Sequence, residues 1–355
     1  MRDCILITGG AGFIGCALSK KLEDFGLDIV AVDNLHPQVH TQPGRPARLP
    51  NFVHLEVADV RDRPFWDDFL TRWRPRILVH FAAETGTGQS LTESARHAGV
   101  NVLGTAELLD AMTVAGVKPE HILLSSSRAV YGEGAWTASG ETFYPGARPH
   151  ASLASGVWGF SREGVEAAPL SHRAASVFPM PTSVYGATKL AQEHILAAWS
   201  AAMSTPLTIL RFQNVYGPGQ SPFNAYTGII NIFHRVARAG QAIDVYEDGQ
   251  IGRDFVFIDD VTAACAAALR KPPEVIRTLD VGAGQATTII EAAQVIAAMH
   301  GAPEPQISGK FRNGDIRWAV AEPADLAREL GVSATVDFAT GSRAVGDWLV
   351  SEGYA

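Results

Sequence analysis

Hydrophobic positions fall into two alternating kinds of block over the first third of the chain. Short, continuously apolar runs rich in β-branched residues lie at 4–8, 28–33, 51–56, 77–81 and 121–125. Such runs predict strands covered on both faces. Between them, residues 13–25, 64–73 and 102–115 carry Leu, Ala and Phe at helical spacing. The strand–helix–strand alternation predicts an α/β fold, a doubly wound parallel sheet with helices on both faces.

Residues 132–182 break the pattern with Gly, Pro, Ser and Ala. About 50 residues is too long for an ordinary connection, so this is read as an insertion. It is either a loose surface excursion or a segment that acts as a lid or dimer contact. The pattern resumes with a helix at 184–200 and a strand at 207–212. Beyond Asn214 the chain turns to Gly, Pro, Asn and aromatic residues. Helices are expected at 228–239, 261–269 and 289–300, with short strands near 243–246, 254–258 and 278–281. The expected division is a first domain over 1–213, carrying the insertion, and a smaller α+β substrate lobe over 214–355. Part of 254–270 is expected to return to the first domain.

Composition narrows the class. The chain has 355 residues, 46% hydrophobic and 19% charged, which suits a packed core and excludes a disordered chain. No apolar run approaches the ~20 residues that span a bilayer. The run at 4–8 is too brief for a signal peptide and leads straight into a glycine cluster. Cys4, Cys16 and Cys265 are far apart among apolar neighbours. They read as buried free thiols of a reducing, cytoplasmic compartment. The net charge of −8, with no basic block, argues against nucleic acid and anionic membranes as partners.

The glycine cluster carries the first chemistry. Gly9, Gly12 and Gly15 follow the first strand and open the first helix. A glycine turn there lets backbone approach a pyrophosphate, and a helix N-terminus offers it free N–H groups. Asp33 closes the second strand, where a carboxylate accepts the adenosine ribose hydroxyls and repels a 2′-phosphate. The strand–turn–helix–acid context predicts a Rossmann-type domain binding NAD rather than NADP. Asp59 is either an adenine contact or the cap of the following helix.

Tyr185 and Lys189 stand at i and i+4, on one face of the predicted helix. A tyrosine is a poor base near neutrality unless fixed positive charge favours its phenolate. Ser127 ends the fifth strand at the carboxyl edge of the sheet, where doubly wound folds place ligands. Its hydroxyl could share the proton of a substrate alcohol. Ser125 and Ser126 read equally well as strand-end caps.

With these pieces in hand, the sequence resembles the extended short-chain dehydrogenase/reductase family, in particular its nucleotide-sugar epimerases and dehydratases. The matching segments are 8–15, 33–34, 59–60, 80–83, 101–105, 125–132, 185–189, 211–219, 253–260 and 312–317. The resemblance implies Tyr185 as base, Lys189 as its partner and Ser127 as the third catalytic residue. It implies NAD contacts from Gly9, Gly12, Phe13, Ile14, Gly15, Asp33, Asn34, Asp59, Val60, Phe81, Ala82, Ala83 and Asn101, besides Tyr185 and Lys189. Asn214, Arg253 and Arg312 would meet the substrate diphosphate, for which a planar guanidinium is suited. Tyr246 would stack on the nucleotide base. Thr85 and Thr87, with Ser127, would contact the sugar. Core packing or surface pairing is the alternative for Tyr246, Arg253 and Arg312.

The family's dehydratases carry an Asp-Glu pair after the Ser/Thr, and its decarboxylases a glutamate at the second position. Here those positions are Arg128 and Ala129. The chemistry that needs neither acid is NAD-dependent epimerisation at C4, through a 4-keto sugar. The loop 84–90, the Ser127 segment and the insertion look most like epimerases acting on dTDP-6-deoxyhexoses. Alternatives are a UDP-hexose 4-epimerase, another NAD-dependent sugar-nucleotide dehydratase, decarboxylase or reductase, or a noncatalytic NAD-binding module. Family members commonly dimerise through two helices, here 102–115 and 184–200, so a homodimer is expected. His36 and His40 lie in a Pro-rich loop without the glutamate of a metalloprotease helix, and no metal is expected.

Overall fold

The first strand sets the architecture. In a computed structural model, describing residues 1–40, 44–223 and 228–354, β1 (Arg2–Thr8) lies inside a seven-stranded sheet. β2 (Asp28–Asp33) and β3 (Val53–Val57) follow on one side of it. β4 (Trp73–His80), β5 (His121–Ser127), β6 (Leu207–Phe212) and β7 (Ile276–Val281) follow on the other. Every pairing is parallel. The chain reverses its direction of travel between β1 and β4, which opens a crevice at their carboxyl ends.

Alternate side chains of each strand serve opposite faces. Ile5, Ile7, Val79, Leu123 and Leu210 share a core with Leu18, Val261, Cys265 and Leu269. Cys4, Leu6, Leu78, Ile122 and Leu124 share the other with Trp66, Phe69, Met112 and Leu196. All three cysteines are buried and free.

Some boundaries differ from the periodicity. The first helix stops at Ser19, and a 3-10 turn covers Glu23–Phe25. β4 starts at Trp73, because that ring is needed in the core under the helix Arg63–Arg72. The helix expected from 102 begins at Ser94 and runs through a π turn, Gly99–Leu103, before Gly104–Val114. Gly99 hides that start from a pattern reading.

The smaller lobe has its own core of Tyr216, Phe233, Ile296, Val345 and Leu349. Three helices, Ile229–Arg238, Ile289–His300 and Phe338–Ser351, supply most of it. Segments both within and beyond 254–270 join the sheet and its core. The helix Ile258–Arg270 packs on the sheet, β7 joins it, and Leu326 and Leu330 add to its core.

The insertion is not loose. Its ends meet, since a side chain on Gly132 would overlap the Met180 carbonyl. Tyr131 just before it donates to both oxygens of Asp280, at 2.8 and 3.0 Å, and Ala174 N donates to the same carboxylate at 2.7 Å. His172 packs against Tyr131, the rings tilted with centroids 4.5 Å apart, and the Arg211 guanidinium lies 4.8 Å over the Tyr131 ring. Within the segment, Trp136–Ala138 pairs with Glu141–Phe143 and with Ala168–Pro169.

Candidate active site

The crevice between β1 and β4 builds a dinucleotide pocket. Gly9 turns the chain out of β1 in the left-handed region, φ 65°, and a Cβ there would sit 2.8 Å from Ala82 N. Only glycine meets both demands. Gly12 precedes the helix Phe13–Ser19 without a side-chain cap, so the first-turn N–H groups face the pocket. A Cβ on Gly15 would lie 2.6 Å from Gly10 O, so the helix can approach the turn only with glycine there.

Asp33 is fixed at the rim. Its Oδ2 accepts from Ala11 N at 3.1 Å and its Oδ1 from Leu35 N at 2.9 Å. His40 Nε2 stands 3.5 Å from Oδ1. The pocket encloses about 760 Å³, open solvent at its mouth included, with Asp33 and Asn34 on one wall and Val60, Phe81, Ala82 and Ala83 on the other. A glycine cradle at a helix start and a held carboxylate at the far rim fit NAD. The side chains of Phe13 and Ile14 pack against the core of the smaller lobe.

Asp59 grips Arg61 through two hydrogen bonds, 2.8 and 2.9 Å, and accepts from Asn34 at 3.2 Å. The Arg61 guanidinium holds its carboxyl down at about 2. It is not the helix cap, because Asp62 accepts from Phe65 N at 3.2 Å in that role. Asn101 bonds Glu84 N and O at 2.8 and 3.0 Å and Thr188 Oγ1 at 3.0 Å, tying the pocket wall to the helix Val184–Met203.

Sequence reasoning missed a strap over this pocket. Gln38 and Gln89 exchange amide hydrogen bonds at 2.9 and 3.1 Å. Arg96 bonds Gln38 at 3.0 Å and Glu84 at 2.6 Å. Gln38 lies among the residues lining the pocket.

The catalytic candidates converge at the end of β5. Ser127 Oγ accepts from Ala129 N at 3.1 Å and so starts the 3-10 turn Arg128–Tyr131. The helix Val184–Met203, capped by Ser183, presses its first turn onto this one at Gly186. Tyr185 is thereby brought to the Ser127 turn. Burial pushes its phenol up, while the nearby Ser127 hydroxyl and the Arg128 charge pull it down. Ser126 instead donates to Glu193, which also takes Arg211 at 3.0 and 2.7 Å.

Lys189 is buried, 2% exposed, and its Nζ donates to Gln192 Oε1. Burial draws its ammonium down to about 7. Gln192 Nε2 donates to Thr105 Oγ1 at 2.9 Å, and Thr105 Oγ1 donates to Asn101 O at 2.7 Å. His80 Nε2 lies 2.9 Å from Thr105 Oγ1, whose proton is already committed. His80 therefore carries its proton on Nε2 and accepts at Nδ1 from Thr8 Oγ1, 2.7 Å away. Burial lowers His80 to about 3 and keeps it neutral. The chain of bonds ends at Ala82 N, which donates to Thr8 Oγ1 at 3.2 Å on the wall of the NAD pocket.

The sugar-side candidates divide. Thr85 lines the same pocket, and its carbonyl lies 3.3 Å from His97 Nε2, whose ring meets Tyr185 edge-on at 6.5 Å. His97 was not foreseen. Thr87 sits on the same loop and its carbonyl accepts from Ser90 Oγ at 2.7 Å. Asn214 Oδ1 accepts from Arg128 Nε at 2.7 Å, which brings it to the Ser127 turn. Arg253 lies on the strand Gly252–Arg253, and its Nη1 donates only to Gly252 O among the described residues, at 2.9 Å. Arg312 is exposed and lies 5.2 Å over the Tyr246 ring. One face of that ring is thus covered by a cation.

Beside them a buried ion cluster locks the insertion to the smaller lobe. Arg148 bonds Glu247 at 2.8 and 2.9 Å and Glu133 at 3.2 Å. Arg317 reaches Glu247 at 3.2 Å. No periodicity signals such a cluster, because its members are single charges far apart in sequence.

Comparison with known proteins agrees with this geometry. The profile of the NAD dependent epimerase/dehydratase family matches residues 5–152 and 163–282. The chain is 52% identical over 349 residues to a dTDP-L-rhamnose 4-epimerase of Burkholderia thailandensis, covering 98% of this chain and 95% of that one. Among solved structures, a UDP-glucose 4-epimerase of Thermotoga maritima with UDP-glucose superposes with a TM-score of 0.78 at 26% identity, covering 98% and 99%. A UDP-glucose 4-epimerase of Thermus thermophilus in complex with NAD gives 0.77 at 27%, with the same coverage.

Proposed function

The chain belongs to the NAD dependent epimerase/dehydratase family and is an NAD-dependent enzyme, and on that footing we propose that it inverts C4 of a dTDP-6-deoxyhexose, converting dTDP-L-rhamnose to dTDP-6-deoxy-L-talose. The observation that carries the substrate is the 52% identity over nearly the whole of both chains. Support for the reaction type comes from Arg128 and Ala129, which put no acid beside Ser127 to drive elimination.

Bound NAD supplies a hydride acceptor and donor at the sugar C4. Tyr185, as phenolate, takes the proton of the 4-hydroxyl, and Ser127 shares it. Once the 4-keto sugar has presented its other face and C4 is reduced again, Tyr185 returns the proton. Lys189, tethered through Gln192, Thr105 and His80 to the pocket wall, adds positive charge behind the phenol. Gly9, Gly12 and Gly15 cradle the pyrophosphate and Asp33 takes the adenosine ribose. Thr85 and Thr87 face the sugar, Asn214, Arg253 and Arg312 the diphosphate, and Tyr246 the base on the ring face that Arg312 leaves open.

A homodimer through Gly104–Val114 and Val184–Met203 accounts for the exposed Leu103 and Val114, 50% and 77% exposed. No helix among the described residues is long and apolar enough to cross a membrane. A panel of nucleotide sugars, incubated without added cofactor and resolved by ion-pair chromatography with mass detection, tests the assignment. A new peak of unchanged mass from dTDP-L-rhamnose supports it. Turnover confined to a UDP-hexose, or loss of water or carbon dioxide, overturns it.

A further inference from the structure

Arg128 follows Ser127 directly, and its Nη1 is shut off from solvent with no hydrogen-bond partner. Its Nε is committed to Asn214 Oδ1 at 2.7 Å. Among the described residues no carboxylate comes within salt-bridge distance of it. The same holds for Arg253, 8% exposed, whose one side-chain hydrogen bond among the described residues is to the carbonyl of Gly252. Burial disfavours the charge of both, and a cationic neighbour adds to it in each case, Arg148 for Arg253 and Arg253 for Arg128. Burial, and after it the Arg253 charge, pulls Arg128 down to about 9, while Asp315, Tyr185 and Glu133 oppose this. Glu133 does not neutralise them, since it is held by Arg148 at 3.2 Å and by Arg317 N at 2.8 Å. Asp315 lends its carbonyl to Arg148 at 2.6 Å, and its carboxylate pairs with neither arginine.

Two unpaired cations in a part-buried cleft are costly unless a ligand brings negative charge. A guanidinium with one N–H engaged and another free has the geometry to grip an anionic oxygen. We propose that Arg128 is a substrate-binding residue, which with Arg253 and Asn214 clamps the diphosphate of the nucleotide sugar through its free Nη1. This rests on the reading of the site as a nucleotide-sugar site and extends it. At the position where an elimination acid would stand, this chain places the inner jaw of a diphosphate clamp. That jaw fixes the anomeric end of the sugar while leaving the ring free to turn over Tyr185.

The test uses the purified NAD-loaded protein and dTDP, which carries the diphosphate and no sugar. Calorimetric titration would compare wild type with Arg128→Ala and Arg128→Lys. Loss of one charge-assisted contact is expected to weaken dTDP binding about tenfold or more in Arg128→Ala, with partial retention in Arg128→Lys. KM for the nucleotide sugar should rise by a similar factor. Full wild-type affinity for dTDP in both variants, with bound NAD and melting temperature unchanged, would overturn the clamp. If Arg128→Ala does not fold, Arg128→Lys decides alone: dTDP affinity within twofold of wild type overturns, a clear loss supports. Wild-type protein that binds no nucleoside diphosphate at all would instead refute the nucleotide-sugar reading beneath it.

Discussion

Gly186 and Ala129 are packed so closely that a side chain on the first would overlap the carbonyl of the second, with Ala129 C only 3.0 Å from where a Cβ would stand. That approach is what lets the helix bearing Tyr185 reach the turn bearing Ser127. Gly186→Ala should force the two apart, costing about 1–3 kcal/mol by overpacking. It should also lower kcat while leaving NAD bound. Thermal denaturation, cofactor content and initial rates check the three parts.

On the proposed mechanism, Tyr185→Phe removes the base and leaves the fold. Turnover should fall by about 10²–10⁴-fold, with NAD content unchanged. A variant that keeps full turnover would remove Tyr185 from the chemistry.

The same tyrosine makes a pH prediction. In the proposed mechanism the phenolate is the active form, so the rate should fall as pH drops through its pKa. Burial raises that pKa, and the Arg128 charge lowers it. Arg128→Ala should therefore move the acidic limb of the kcat profile to higher pH, and a limb that stays in place would contradict the coupling.

As the proposed ribose contact, Asp33 would select the cofactor by charge. Asp33→Ser should weaken NAD retention and raise affinity for NADP at least tenfold, because the 2′-phosphate loses its repulsive neighbour. Fluorescence titration of stripped protein with each dinucleotide measures both.

Asp280 ties Tyr131 to Ala174 and so holds the insertion down. Burial raises its carboxyl to about 7. Between the ordinary carboxylate range, near 4, and that value, the folded state keeps a proton that the unfolded chain releases. Stability should therefore fall as pH rises through this window. Glu133, raised to about 7 by burial, adds to the same slope. Asp280→Asn should flatten it, as urea unfolding at pH 5 and pH 7.5 would reveal.

The sheet was legible because β1, β2 and β6 are short apolar runs whose ends are marked by Thr8, Asp33 and Phe212. The glycine turn and the Tyr185/Lys189 pair were legible because their spacing is local. The insertion was not, because what holds it is nonlocal: Tyr131 with Asp280, and Arg148 with Glu247 across 99 residues. Nor was the Gln38–Gln89 strap, two polar residues of separate loops that periodicity treats as surface. Arg128 stood in plain view beside Ser127, but as sequence it registered only as a missing acid. Its unpartnered Nη1 exists only in three dimensions.

The claim that C4 is oxidised and reduced again within one closed site is tested most directly with dTDP-L-rhamnose carrying deuterium at C4, incubated in ordinary water without added cofactor. The expected product has unchanged mass, inverted C4 and the deuterium still on that carbon. Inversion with loss of the label to solvent, or no inversion without an external reductant, would contradict it.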